Sequence, residues 1–300
     1  MFSLATVDYR GAELACIEAV GRFHPLTEAA QRAGESLPSG GLIALFANWA
    51  GNFPMLARIA KKCPADGGLA PSDVTVLTPL RYPGKVLCAG ANYYDHIAEM
   101  GVQDLSKAGQ RLFFFFKPPR NALVGPGRTV EYPAGSNMFD WEIELAAIIG
   151  KTSKRLTMDN ALDAVAAYSI AIDFSARDFN QAPNTFYKLD WVAGKGRDTC
   201  CPMGPRLVPA VFIKNAQDLA LQLTVNGEVK QSARTSGMIF DIREQLVTLS
   251  DIMTLDPGDV VLTGTPAGVG FPKRTFLAPG DQVRASIESI GDLDVEIFAG

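Results

Sequence analysis

Residues 140–150 read Asp140-Trp141-Glu142-Ile143-Glu144-Leu145-Ala146-Ala147-Ile148-Ile149-Gly150, an apolar run closed by glycine that predicts a buried strand. Side chains alternate faces along a strand, so Trp141, Ile143 and Leu145 share one side, and Glu142 and Glu144 the other. At a rise of about 3.3–3.4 Å per residue, the two carboxylates stand roughly 6.6–7 Å apart. A Glu-x-Glu pair is commonly the wet face of a half-exposed strand, but the apolar continuation from Leu145 to Ile149 argues for burial on both faces. Buried carboxylates on one face repel each other and are costly to desolvate, so a positive charge belongs between them. Downstream, Ala167-Tyr-Ser-Ile-Ala-Ile-Asp173 also reads as a strand, with Asp173 at its end, where a turn could aim it back at the glutamates. Glu142, Glu144 and Asp173 have neither His nor Cys among them, and such a hard, all-oxygen set suits Mg²⁺ or Mn²⁺ rather than zinc. Spacing alone leaves the wet face and the metal site both open.

The chain has 300 residues, net charge −4, 47% hydrophobic and 20% charged residues, which allows one large core or two unequal domains. Mild acidity gives no electrostatic case for nucleic acid or an anionic membrane as partner. No apolar run of about 18 residues predicts a membrane span, and the first ten residues show no signal-peptide pattern. Five cysteines without a Cys-x-x-Cys pair, two of them adjacent at Cys200-Cys201, suit reduced thiols in a cytoplasm. With only His24 and His96 available, zinc built on His or Cys is disfavoured.

Residues 3–20 alternate as two short strands turning at Gly11, and residues 26–34 and 42–62 read as two helices. Loop composition at residues 64–71 places a boundary there: 1–75 as a small N-terminal α/β domain, 76–300 as a β-rich domain. Residues 85–89 form a short strand, followed by Gly90-Ala91-Asn92-Tyr93-Tyr94-Asp95-His96-Ile97-Ala98-Glu99-Met100-Gly101, a helix with Asn92 as its N-cap and Gly101 as its end. His96 and Glu99 are then i and i+3 on one side, where a carboxylate can orient an imidazole and raise its basicity, as a water-activating base requires. The four phenylalanines at 113–116 read as core, with Lys117 and Arg120 flanking them in reach of an anionic substrate. Residues 157–167 read as an amphipathic α segment between the carboxylate strands. Gly194-Lys195-Gly196 sets a lysine where backbone can approach a ligand closely. Asn226-Gly227 is a two-residue hairpin turn, and residues 242–253 a helix. The glycine-rich Gly264-Thr265-Pro266-Ala-Gly268-Val-Gly270 lacks the Gly-Lys-Ser/Thr of a phosphate-binding loop, and no Gly-x-Gly-x-x-Gly follows a strand.

Taken together, Asn92-Tyr93-Tyr94-Asp95-His96, Phe139-Asp140-Trp141-Glu142-Ile143-Glu144-Leu145, Asp173-Phe-Ser-Ala-Arg177-Asp178 and Thr263-Gly264-Thr265-Pro266-Ala-Gly-Val-Gly270 resemble the fumarylacetoacetate hydrolase family, in family order over residues 85–298. The resemblance implies an α+β, β-rich fold: a rolled mixed β-sandwich preceded by the small N-terminal domain, forming a homodimer with Mg²⁺ or Mn²⁺ at the strand ends. By match, Glu142, Glu144 and Asp173 take the metal positions, His96 and Glu99 the water-activating dyad, and Lys195 the active-site lysine. The same match sets Thr265, Arg177, Asn180 and Gln181 on the substrate. Two departures point away from fumarylacetoacetate itself and toward a smaller acylpyruvate. Cys88-Ala-Gly-Ala91 stands where the fumarylacetoacetase branch has a further metal-binding aspartate. Asn180, followed by Gln181, stands where many relatives carry glutamine.

The expected activity is therefore divalent-metal-dependent hydrolysis of a carbon–carbon bond in a 1,3-dicarbonyl 2-oxo acid. The same scaffold also suits decarboxylation, isomerisation or dehydration of a 2-oxo acid. A binding protein that had merely kept the fold would be expected to lack the dyad, and here both residues stand.

Overall fold

A computed structural model describes residues 1–300. The glutamate strand spans Ile143–Ile149, is buried throughout, and lies inside an eleven-stranded sheet. Its antiparallel neighbours are Val165–Ile172 and Val260–Leu262. Beyond Val260–Leu262 come Val86–Gly90, parallel to it, and Phe113–Lys117. Beyond Val165–Ile172 come Cys201–Pro209 and the N-terminal strands Ser3–Tyr9, Ala12–Ala19 and Arg22–Pro25. A second, five-stranded sheet joins Glu228–Arg234, Ala220–Val225, Gln282–Ile287, Gly291–Ala299 and Thr129–Tyr132. The architecture is α+β and β-rich, with mixed sheets in the C-terminal part and a small α/β region at the N-terminus. No helix is long and apolar enough to cross a membrane.

Alternation along the glutamate strand divides the core. Trp141, Ile143, Leu145, Ala147 and Ile149 join a cluster of 36 buried residues that includes Leu223, Val283 and Leu293 of the smaller sheet. Ala146 and Ile148 join a second cluster of 29, which includes Leu45, Leu56 and Ile59 of the N-terminal helices. Glu142 and Glu144 continue this second face to the start of the strand, where a cavity opens. Register is strongly fixed here. A one-residue slip would send both glutamates into the apolar layer between the sheets, and each buried leucine or isoleucine contributes about 1.5–3 kcal/mol against that.

Three local expectations are corrected. Residues 42–62 form two helices, Gly41–Phe46 and Trp49–Lys61, because the Asn48 side chain accepts the Gly51 N–H and starts a new helix. Residues 157–167 hold only a 3₁₀ turn at Ala161–Ala164, since the ladder with Ile143–Ile149 claims the chain from Val165 onward. Asn92 does not cap the following helix, Tyr94–Glu99, whose N-cap is Tyr93. Its amide is spent elsewhere, donating to the Phe240 carbonyl at 3.0 Å and the Thr263 carbonyl at 2.9 Å and accepting the Phe240 N–H at 2.9 Å. The Asn226-Gly227 hairpin is as expected, with φ of 53° and 80° at its two turn residues.

Candidate active site

The glutamate strand and Val165–Ile172 are antiparallel, so the start of one lies beside the end of the other. The Asp173 N–H donates to the Glu142 carbonyl at 2.8 Å and extends that ladder by one step. Glu142, Glu144 and Asp173 are thereby brought together, all buried, with one ligand oxygen from each within 4.8 Å of the others. Three lysine and arginine side chains answer them unevenly. Lys195 Nζ bridges Glu142 Oε2 at 2.7 Å and Asp173 Oδ2 at 2.6 Å. Lys117 Nζ, also buried, holds Asp173 Oδ1 at 2.5 Å and the Phe174 carbonyl at 2.9 Å. Arg177 Nη2 lies 2.5 Å from Glu142 Oε1 as an ion contact without hydrogen-bond alignment, while its Nε donates to Asp140 at 2.9 Å. Glu144 has no cation; its carboxylate accepts only the Gly264 N–H, at 2.5 Å.

Electrostatics follows that unevenness. Burial alone would raise the Glu142 carboxyl, but the Arg177 and Lys195 charges outweigh it and hold the group below the usual range. Burial, with the Asp173 and Glu142 charges added, pushes Glu144 well above the carboxylate range. The set is thus short of positive charge at one buried oxygen donor. That is the condition a divalent cation relieves, and an all-carboxylate donor set fits Mg²⁺ or Mn²⁺.

The dyad is assembled beside this cluster. His96 is buried, and its Nδ1 lies 2.7 Å from Glu99 Oε1. A carboxylate only accepts, so Nδ1 carries a proton, and in the neutral imidazole the lone pair is then on Nε2. Glu99 Oε2 in turn accepts the Gly268 N–H at 2.9 Å, which pins the dyad to the glycine-rich segment. Gly268 is required there: its φ is +104°, and a Cβ would stand 2.0 Å from the Lys230 carbonyl oxygen. Gln231 completes the frame, accepting the Ile143 N–H at 2.9 Å and donating to Thr265 Oγ1 at 2.8 Å.

A cavity of about 590 Å³ is lined by His96, Glu142, Glu144, Arg177, Lys195 and Thr265 together with mostly apolar residues. Glu99 and Asp173 reach it through His96 and Lys195. Asn180 and Gln181 do not line it: Asn180 is buried against Gly194, and Gln181 is exposed in the short strand Gln181–Ala182. Lys195 ends the helix Trp191–Lys195, and the close backbone approach at Gly194 is to Asn180 Oδ1, which a Cβ would overlap at 1.5 Å. The phenylalanine run is not simply core. Phe113 and Phe115 face the cavity beside Trp191, with ring centroids 4.9 and 5.2 Å from it, and Phe116 is exposed. Neither flanking cation meets the cavity: Lys117 is buried on Asp173, and Arg120 covers the Tyr82 ring at 4.6 Å.

A family model described as fumarylacetoacetate (FAA) hydrolase C-terminal matches residues 85–297. The mitochondrial oxaloacetate tautomerase FAHD2A of Bos taurus is 40% identical over 222 residues, which is 73% of this chain and 68% of that protein. Among solved structures, fumarylacetoacetate hydrolase from psychrophilic Exiguobacterium antarcticum aligns over 100% of both chains, with a TM-score of 0.79 and 32% identity. Fumarylpyruvate hydrolase from Pseudomonas aeruginosa, solved with Mn²⁺ and pyruvate, aligns over 75% of this chain and 92% of its own, with a TM-score of 0.65 and 31% identity.

Proposed function

We propose, from the premise that the chain belongs to the fumarylacetoacetate hydrolase family, that it hydrolyses a carbon–carbon bond in a 1,3-dicarbonyl 2-oxo acid of the acylpyruvate kind. One observation carries this reading: a buried imidazole, its Nδ1 fixed by Glu99, lines the same cavity as the glutamates of the three-carboxylate cluster. Glu142, Glu144 and Asp173 would hold Mg²⁺ or Mn²⁺, which when bound supplies Lewis-acid polarisation of the 2-oxo acid. His96 Nε2 takes a proton from water, and Glu99 steadies the resulting imidazolium. The hydroxide adds to the distal carbonyl. Lys195 commits two ammonium protons to Glu142 and Asp173, leaving its third for the developing oxyanion. The carbon–carbon bond then breaks with its electron pair going to the carbon next to the 2-oxo group, and His96 returns the proton there. Arg177 and Thr265 bind and orient the acid.

A second reading is keto–enol tautomerisation of a 2-oxo acid, favoured by the 40% identity to the bovine oxaloacetate tautomerase. The test is to incubate acylpyruvates and oxaloacetate with Mg²⁺-loaded protein, following enol absorbance, pyruvate and CO₂. Enol loss with one pyruvate per carboxylic acid supports hydrolysis; enol change with the carbon skeleton intact supports tautomerisation. No change with either substrate overturns both.

Lys195→Ala should lower kcat by about 10²–10³-fold, the usual cost of removing one oxyanion donor. Metal binding should survive, because the cluster becomes more negative. An unchanged kcat in a steady-state assay would leave Lys195 a purely structural cation.

The reading extends to assembly and setting. A homodimer is supported by the apolar surface at Phe186, Tyr187 and Val192, exposed by 95%, 54% and 78%. Five unpaired cysteines support a reducing, cytoplasmic setting. We place the domain boundary near residue 75 and give residues 1–75 a scaffolding role, since their helices back the sheet face that carries the glutamates.

A further inference from the structure

A second cavity, of about 310 Å³, lies away from the carboxylate cluster, and no residue lines both. It opens between the 3₁₀ turn Ala161–Ala164, the strand Val165–Ile172, the loop after Ala210–Phe212 and the start of the helix Ile242–Ile252. Alternation along Val165–Ile172 sets the two cavities on opposite faces of the main sheet. Tyr168, Ile170 and Ile172 pack toward the smaller sheet, whereas Ala167 and Ala171 share the face that carries the glutamates.

The charge of this second cavity is one-sided. Lys214 and Arg243 line it, and no acid does. Lys214 has no carboxylate within ion-pair distance, and Arg243 has only that of Asp241, at 3.9 Å. The loop bearing Lys214 is fixed, since Asn215 Oδ1 accepts the Gln217 N–H at 3.1 Å and Gln217 Oε1 accepts the Ile242 N–H at 3.0 Å. The lining also includes three buried residues, Tyr168, Ile213 and Ile242, with Tyr168 only 4% exposed and its ring in the apolar core. The Tyr168 hydroxyl has no hydrogen-bond partner in the protein. Burial pushes this phenol up to about 12, so it keeps its proton to donate, and Arg243 is near enough to oppose the shift.

We propose that this second cavity binds a small carboxylic acid with a short apolar tail, at a site separate from the catalytic cavity and independent of the reaction there. The carboxylate accepts the Tyr168 hydroxyl and meets Arg243 and Lys214, while the tail packs on Ile213, Ile242 and the Tyr168 ring. An unpartnered hydroxyl on a buried side chain is a cost that an acceptor removes. A carboxylate edge matches the planar guanidinium fork, and the apolar lining favours an acid with a hydrocarbon part over a bare inorganic anion. Lys214 and Arg243 are exposed, so each contributes little and is screened by salt. Selectivity rests on the hydroxyl and the buried apolar residues.

The test titrates the full chain, its isoleucine methyls labelled for NMR, with butanoate, butanamide and inorganic phosphate in a buffer free of other small acids. Butanoate should shift the methyl signals of Ile213 and Ile242, while Ile239 reports the catalytic cavity separately. Butanamide, the same shape without the charge, should bind about 10-fold more weakly. Tyr168→Phe keeps the ring and should weaken butanoate by about 10-fold, the worth of a hydrogen bond to a charged group. Arg243→Gln and Lys214→Gln should each weaken it by about 2–5-fold, as exposed charges do. An unchanged melting temperature checks that the variants fold, and the exposed Arg243 and Lys214 serve as the test if Tyr168→Phe does not. Equal binding of butanoate and butanamide would make the cavity merely apolar and overturn the proposal. So would shifts at Ile239 alone, binding of phosphate without butanoate, or butanoate binding that none of the three variants weakens.

Discussion

Chelation and desalting should reduce turnover to background, and Mg²⁺ or Mn²⁺ should restore it. The reason lies in the distribution of charge. Glu142 and Asp173 each contact two cationic side chains, whereas Glu144 has only a backbone N–H. An unpaired buried carboxylate costs several kcal/mol, and burial, with the Asp173 and Glu142 charges beside it, pushes the Glu144 carboxyl well above its usual range. Ligation needs the ionised form, so a proton and the metal compete for Glu144. The sign follows: Glu144 is raised when folded, so the proton is held more tightly as pH falls, and metal affinity should fall with it. Two measurements check this apart from activity. Adding Mg²⁺ to weakly buffered protein should acidify the solution, and a metal concentration about 100-fold above Kd should stabilise the fold by about 2.7 kcal/mol. Full turnover after exhaustive chelation, verified by metal analysis, would sink the site.

How much of this was legible in the sequence depends on the range of each interaction. The glutamate strand was readable because alternation is local, and Ile143 to Ile149 obey it on both faces. His96 and Glu99 were readable because one helical turn brings them together. Asp173 was placed correctly beside the glutamates because an antiparallel return was enough to put it there. Lys117, by contrast, reads from sequence as a cation flanking four phenylalanines in reach of an anionic substrate. Its partner Asp173 is 56 residues further along, and no local pattern announces a buried lysine. Gln231 carried no signal at all, since it sits in an ordinary hairpin and acts on Ile143, 88 residues away.

Asp140 is the instructive middle case. It stood within the quoted motif, yet only the structure shows its buried carboxylate accepting the Trp141, Gly270 and Phe271 N–H groups and the Arg177 Nε–H. It ties the glycine-rich segment to the arginine that contacts Glu142. Asn180 shows the opposite limit: a position chosen by family match alone is buried against Gly194, outside the cavity lining. Local chemistry thus picked out residues that the fold gathers around one cavity. The residues that hold them in place depend on long-range contacts, which sequence pattern does not encode.

The widest separation between hydrolysis and simpler 2-oxo acid chemistry should come from the His96–Glu99 pair. His96→Ala removes the base, and Glu99→Gln removes the charge that steadies the imidazolium while also weakening the tie to Gly268. Each should lower acylpyruvate hydrolysis by about 10²–10⁴-fold, the usual worth of a positioned base. The double variant should be little worse than His96→Ala, because residues that act as one unit are not additive. Metal binding should persist in all three, since neither residue belongs to the carboxylate cluster, and the proton release on adding Mg²⁺ reports that independently of turnover. Tautomerisation, if it is the chemistry, also needs a base and should fall alongside. Decarboxylation of oxaloacetate needs neither attacking water nor base, so any such turnover should suffer far less. If both single variants hydrolyse acylpyruvates at the wild-type rate, the pair serves only to hold the glycine-rich segment, and the hydrolase reading falls with it.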